Sequence, residues 1–177
     1  LGKQLITEIK DYSTYDYVAQ FGGYLGNYYI ILFFPEIWSY ELFETMATKE
    51  NIGEFATDYE NYKGRKNYAF DTAGGYYAAR LGILEYLKQK KRQASVLALR
   101  FITDEYYAPM GVWVVREATR NALKSKRLCF ENKELMIKYA EILVKKKFGK
   151  HLQLDRLLSK SRLLKEVKEQ KKLEEFL

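Results

Sequence analysis

The chain has 177 residues, with 30 Lys and Arg against 23 Asp and Glu, a formal charge of +7 and an apolar fraction of 47%. A chain of this length removes roughly 70% of its unfolded surface from water, which sustains one domain without staples, and 16 Tyr with 10 Phe exclude disorder, collagen-like and low-complexity classes. One cysteine, Cys129, and one histidine, His151, exclude an internal disulfide and a tetrahedral Cys/His zinc site within the chain.

Leu1 to Asp11 mixes charged and polar residues without an apolar signal core, so no secretory address is read there. No apolar run reaches the roughly 18 to 20 residues that cross a bilayer, and a soluble cytoplasmic protein with no membrane partner is expected. Gly22, Gly23 and Gly26 precede an apolar run rather than opening a helix, so they are read as turn residues and not as a phosphate loop. Asn27 to Phe34 is dense in apolar and aromatic residues and bounded by Gly26 and Pro35, which predicts a strand buried on both faces. Trp38, Tyr40 and Leu42 then alternate with Ser39 and Glu41, which predicts a second strand, hairpin-paired to the first.

Asn51 to Asp71 is polar and tyrosine-rich and reads as loop with at most a short helix. Gly74-Gly75 opens a helix in which Tyr77, Leu81 and Leu84 repeat at helical spacing, ending in the basic stretch Lys88 to Arg92. The glycine pair has two readings. One is close packing of the helix start, and the other is an anion site served by Arg65, Lys66 and Arg80. Ser95 to Ile102 is strand-like. A helix from Val112 to about Lys124 follows, with Val112, Val115, Thr119 and Ala122 as its inward stripe, then another from Lys133 to Phe148 with Leu135, Tyr139 and Ile142 on one face and Gly149 at its end. His151 to Lys168 is leucine-rich, basic and helical by composition. The sum is one α+β domain, residues 1–168, with a short mixed or antiparallel sheet packed by helices, and a flexible C-terminal peptide, residues 169–177.

On the 112–124 helix, Trp113, Arg116, Glu117 and Arg120 share one side. The repulsion between two arginines four apart is relieved either by Glu117 or by an external phosphate, with the indole as a stacking surface. A metal-dependent nuclease or hydrolase would need converging carboxylates. The candidates are Glu41, Glu44, Glu85, Glu105 and Glu117, and the strand spacing of Glu41 and Glu44 sends that pair to opposite faces. No catalytic residue is assigned, and no metal site is expected in this chain.

The last eight residues, Gln170 to Leu177, have the form Q-x-x-L-x-x-F-L, which resembles the box by which replication and repair proteins dock on the sliding clamp, PCNA. In one 3₁₀ turn, residues three apart eclipse, so Leu173 and Phe176 project as one apolar plug with Leu177 beside it, while the Gln170 amide both donates and accepts hydrogen bonds. A chance match is on the order of 10⁻⁴ per position. The competing reading is the last turn of an amphipathic helix, against which stand the charged neighbours Lys168, Glu169, Lys171, Lys172, Glu174 and Glu175.

With Trp38 to Leu42, Tyr62 to Lys66, Gly74 to Leu81 and above all Tyr107-Ala108-Pro109-Met110-Gly111-Val112-Trp113-Val114-Val115-Arg116-Glu117, the chain resembles the C-terminal half of the archaeal Nre DNA repair family. The resemblance implies a nucleoid-associated DNA repair factor that partners PCNA through Gln170, Leu173, Phe176 and Leu177. Family members are longer and carry a cysteine-bearing, zinc-finger-like motif in an N-terminal half without counterpart here, so any zinc belongs to that half and no cofactor is expected in this chain. DNA, or another repair protein, is expected on Arg65, Lys66, Arg80, Trp113, Arg116 and Arg120. The alternative is a metal-dependent nuclease recruited to DNA by the same tail.

Overall fold

A computed structural model describes residues 1–50, 54–107 and 111–167. Its order is α1 (Gly2–Ile9), β1 (Tyr17–Tyr24), β2 (Asn27–Phe34), β3 (Ser39–Met46), β4 (Ala56–Glu60), α2 (Ala73–Lys90), β5 (Ser95–Ile102), α3 (Gly111–Lys124), β6 (Leu128–Phe130), α4 (Lys133–Phe148) and α5 (Leu154–Leu158), followed by a helical segment over 162–167. The strands form one mixed sheet in the order β4-β3-β5-β2-β1-β6, antiparallel throughout except for the parallel pair β3/β5. The α+β class with a mixed sheet packed by helices is therefore as expected from the sequence.

β2 shows why. Successive side chains of a strand point to opposite faces, and Tyr29, Ile31 and Phe33 enter one core while Ile30, Leu32 and Phe34 enter the other. The first core lies under α1, α2 and α3, and the second under α4, α5 and the 162–167 segment. Each such side chain, fully withdrawn from water, contributes about 1.5–3 kcal/mol.

Several local expectations are corrected. β2 and β3 are not a hairpin, because β5 inserts between them and pairs with both. Gly22 and Gly23 lie inside β1, where a Cβ on Gly22 would stand 2.7 Å from the Ala122 Cα, so that glycine lets α3 lie directly on the strand. The turn belongs to Leu25 and Gly26, both at positive φ. The stretch read as loop contains β4, and Leu1 to Asp11 contains α1. Val112 is exposed rather than inward, and α4 buries Met136, Ala140 and Val144 while Leu135 and Ile142 face outward. Among the described residues no helix is long and apolar enough to cross a membrane.

Candidate nucleic-acid interface

β4 places Asp58 and Glu60 beneath the start of α2. The Asp58 carboxylate accepts from the Thr72 backbone N–H at 2.7 Å, the Thr72 hydroxyl at 3.0 Å and the Phe70 N–H at 3.3 Å, and pairs with Arg65 at 3.0 Å. Burial pushes this carboxyl up, but those hydrogen bonds and the Arg65 charge outweigh it, leaving the group below its ordinary 3.8. Thr72 is the N-cap of α2, so the chain's own carboxylate takes the N–H and hydroxyl of the residue that opens the helix and places a negative charge at its N-terminus. Gly75 answers the other reading of the glycine pair. A Cβ there would run into the Glu44 carboxylate, so close packing accounts for it.

Arg65 also donates to the carbonyls of Tyr59, Asn67 and Tyr68 and lies over the Tyr76 ring. Its guanidinium is a staple for the 64–70 segment. Arg80 is buried: its Nε donates to Glu60 at 2.8 Å, and Glu60 also accepts from Trp38 Nε1 at 2.9 Å and the Tyr76 hydroxyl at 3.1 Å. The expectation of a surface cation at Arg80 is thus corrected, because a carboxylate from β4, twenty residues earlier, draws it into the core. Lys66 is exposed and borders a groove with Asn61, Asn67 and Arg162.

On α3, Trp113 is 48% exposed and meets Tyr24 edge to face at 5.6 Å. Arg116 is half-buried, and its Nε has no hydrogen-bond partner among the described residues. Arg120 pairs with Glu117 at 3.2 Å and with Glu85 of α2 at 3.6 Å, so internal carboxylates relieve the arginine repulsion. Trp113, Arg116 and Arg120 share a helix side, whereas Arg65 and Lys66 belong to the β4–α2 connection. Arg120 also lines a basic cleft with Lys90, Lys124, Lys126 and Arg127. Sequence reading overlooked the other four, although the run Lys124-Ser125-Lys126-Arg127 was the available signal.

The candidate acids disperse. Glu41 holds the 162–167 segment, Glu44 pairs with Arg100 at 2.7 Å on the opposite face as expected, Glu105 accepts from the Tyr28 hydroxyl, and Glu85 and Glu117 share Arg120. Among the described residues no three His, Cys, Asp or Glu side chains converge to hold a metal ion. Gln170, Leu173, Phe176 and Leu177 lie outside the described residues, as do residues 108–110 of the Tyr107 to Glu117 motif.

Residues 60–176, from Glu60 of β4 to Phe176, match the family described as Archaeal Nre, C-terminal. The chain belongs to the archaeal Nre family. It is 39% identical over 137 residues to DNA repair protein NreA of Archaeoglobus fulgidus, covering 75% of this chain and 35% of that protein. It is 36% identical over 132 residues to DNA repair protein NreA of Haloferax volcanii, covering 70% and 31%. It is 34% identical over 186 residues to DNA repair protein NreB of Archaeoglobus fulgidus, covering 100% and 45%. The chain thus spans less than half the length of these Nre relatives. No solved structure matches it.

Proposed function

We propose that this Nre chain acts in DNA repair, tethered to the sliding clamp PCNA by Gln170, Leu173, Phe176 and Leu177, with its folded body held against DNA or another repair protein. The observation that carries the reading is the Q-x-x-L-x-x-F-L spacing at residues 170–177, in a family whose relatives bear the name DNA repair protein. A short peptide of this kind orders on binding, so the expected affinity is micromolar, about 8 kcal/mol. A second contact with DNA raises it through effective concentration.

The exposed Trp113 and the adjacent Arg116 and Arg120 form the DNA-facing side, with Lys66 as a separate phosphate contact. An indole supports stacking or cation-π contact, and the cations neutralise phosphate. Arg65 and Arg80 serve the Lys66 contact indirectly, by holding the 64–70 segment and Glu60 in place. This reading locates the protein at the nucleoid.

The test is retention of the intact chain on immobilised cognate clamp, compared with Leu173→Ala and Phe176→Ala. Retention of the intact chain and loss of both variants supports the reading. Equal retention of all three contradicts it.

A further inference from the structure

The C-terminal halves of α2 and α3 lie side by side and, with the 124–127 turn and Gln20 of β1, enclose a cleft of about 730 Å³. Small-ligand sites occupy roughly 300–1,000 Å³, so this one exceeds the needs of a lone phosphate. Its lining carries five cations, Lys90, Arg120, Lys124, Lys126 and Arg127, against one carboxylate, Glu85. Glu85 is engaged with Arg120 at 3.6 Å. Cations in the last turn of a helix answer the negative end of its dipole, which accounts for Lys90 and Lys124. Lys126 and Arg127 lie beyond the end of α3, where that dipole does not account for them. Like charges crowded in a concave site focus a positive potential that attracts an anion.

Two further features give the cleft more than charge. Gln20 is 2% exposed, and its Nε2 donates to the carbonyls of Leu123 at 2.8 Å and Ser125 at 3.0 Å. Reversing the amide would set oxygen against two carbonyl oxygens, so the orientation is fixed. The Gln20 Oε1 then has no hydrogen-bond partner among the described residues, and a buried acceptor of this kind calls for a donor. Tyr86 supplies an aromatic wall, its hydroxyl bonded to Tyr15 at 3.1 Å. Tyr15 in turn accepts from Arg127 at 3.0 Å, which orients that guanidinium at the cleft.

We propose that the cleft binds a nucleoside phosphate. The phosphate lies against Lys124, Lys126 and Arg127, and the base or sugar lies against the Tyr86 wall, above the buried Gln20 amide. The assignment rests on the DNA-contact part of the proposed function and deepens it, since a single DNA strand and a free nucleotide offer the same chemistry.

The experiment measures anisotropy of a fluorescein-labelled single-stranded oligothymidylate with the intact chain, and in parallel the binding of unlabelled TMP by calorimetry. The test variant is Lys124→Glu/Lys126→Glu, with Lys66→Ala/Arg116→Ala for the outer surface and Lys145→Glu/Lys146→Glu on α4, across the sheet, as an equal charge change away from the cleft. The account predicts at least about tenfold weaker strand binding for the cleft variant alone among the two reversals, at unchanged melting temperature. The salt slope should fall by about 1.4, at roughly 0.7 per lost single-strand contact. Strand binding lost without TMP binding assigns the cleft to DNA, and TMP binding lost in the cleft variant assigns it to a free nucleotide. Unchanged binding of both probes in the cleft variant overturns the proposal, and loss confined to the Lys66/Arg116 variant overturns it while leaving the proposed function standing. If the intact chain binds neither probe, the cleft assignment and the DNA-contact part of that function fail together, while clamp docking is judged separately.

Discussion

The carboxylate of Glu41, on the strand next to the β4 edge of the sheet, accepts the backbone N–H groups of Arg162 and Leu163, each at 3.0 Å, and the Ser161 hydroxyl at 2.5 Å. Strand β3 thereby caps the helical segment over 162–167, the last described stretch before the proposed clamp-docking box, and Leu163 and Val167 seat that segment in the second core.

Glu41→Ala leaves the Leu163 N–H unpaired inside the protein and removes the partner of the part-buried Arg162 N–H, which costs about 1–3 kcal/mol. The expected result is a lower denaturant midpoint and faster hydrogen exchange over 161–167, with the exchange of β2 changed only by the global loss of stability. Clamp affinity per folded molecule should stay unchanged, because the residues proposed to dock follow this segment in the chain. Burial raises the Glu41 carboxyl above its ordinary 4.5, the hydrogen bonds pull it back only in part, and Glu166 adds to the rise. A raised carboxyl favours the protonated fold, so its pH-linked contribution is fully present below 4.5 and is lost as pH rises through the folded value.

Asp58 has the opposite sign. Its folded value lies below the ordinary 3.8, so its contribution is present above 3.8 and is lost as pH falls through the folded value. Asp58→Asn should flatten the acid limb of a stability-against-pH curve. Arg65→Ala should lower stability by about 1.5–3 kcal/mol, the worth of hydrogen bonds to a charged group, whereas Lys66→Ala should leave the melting temperature unchanged. Equal melting temperatures for both variants would contradict the staple role of Arg65.

The buried Glu60 separates structural from surface arginines. Among the described residues, Arg80→Ala leaves that carboxylate with Trp38 and Tyr76 as donors, and breaking a buried pair costs about 3–5 kcal/mol. Chemical denaturation should show this loss. DNA affinity of the folded fraction should not change with Arg80→Ala and should fall with Arg116→Ala.

How far these roles were legible depends on the distance over which each is decided. The β2 run and the bounds of β5 and α4 follow from local composition, since seven apolar and aromatic residues in a row between Asn27 and Pro35 allow little else. β4 was hidden because two of its five residues are buried acids, and only Thr72, Arg65 and Arg80, all later in the chain, make their burial tolerable. On α4 both Leu135/Tyr139/Ile142 and Met136/Ala140/Val144 keep helical spacing, and the choice between them belongs to the sheet face that α4 covers. Arg65 and Arg80 read as surface cations for the same reason: their partners lie on another element. The cleft was missed because Lys90, Arg120 and the 124–127 run meet only once α2 and α3 are packed.

The clamp tether is tested most directly by titrating the cognate PCNA with the intact chain and with Phe176→Ala in a calorimeter. The account predicts a micromolar dissociation constant, about 8 kcal/mol, for the intact chain and no measurable heat for the variant at an unchanged melting temperature. Equal heats for both chains, or none for either, would contradict it.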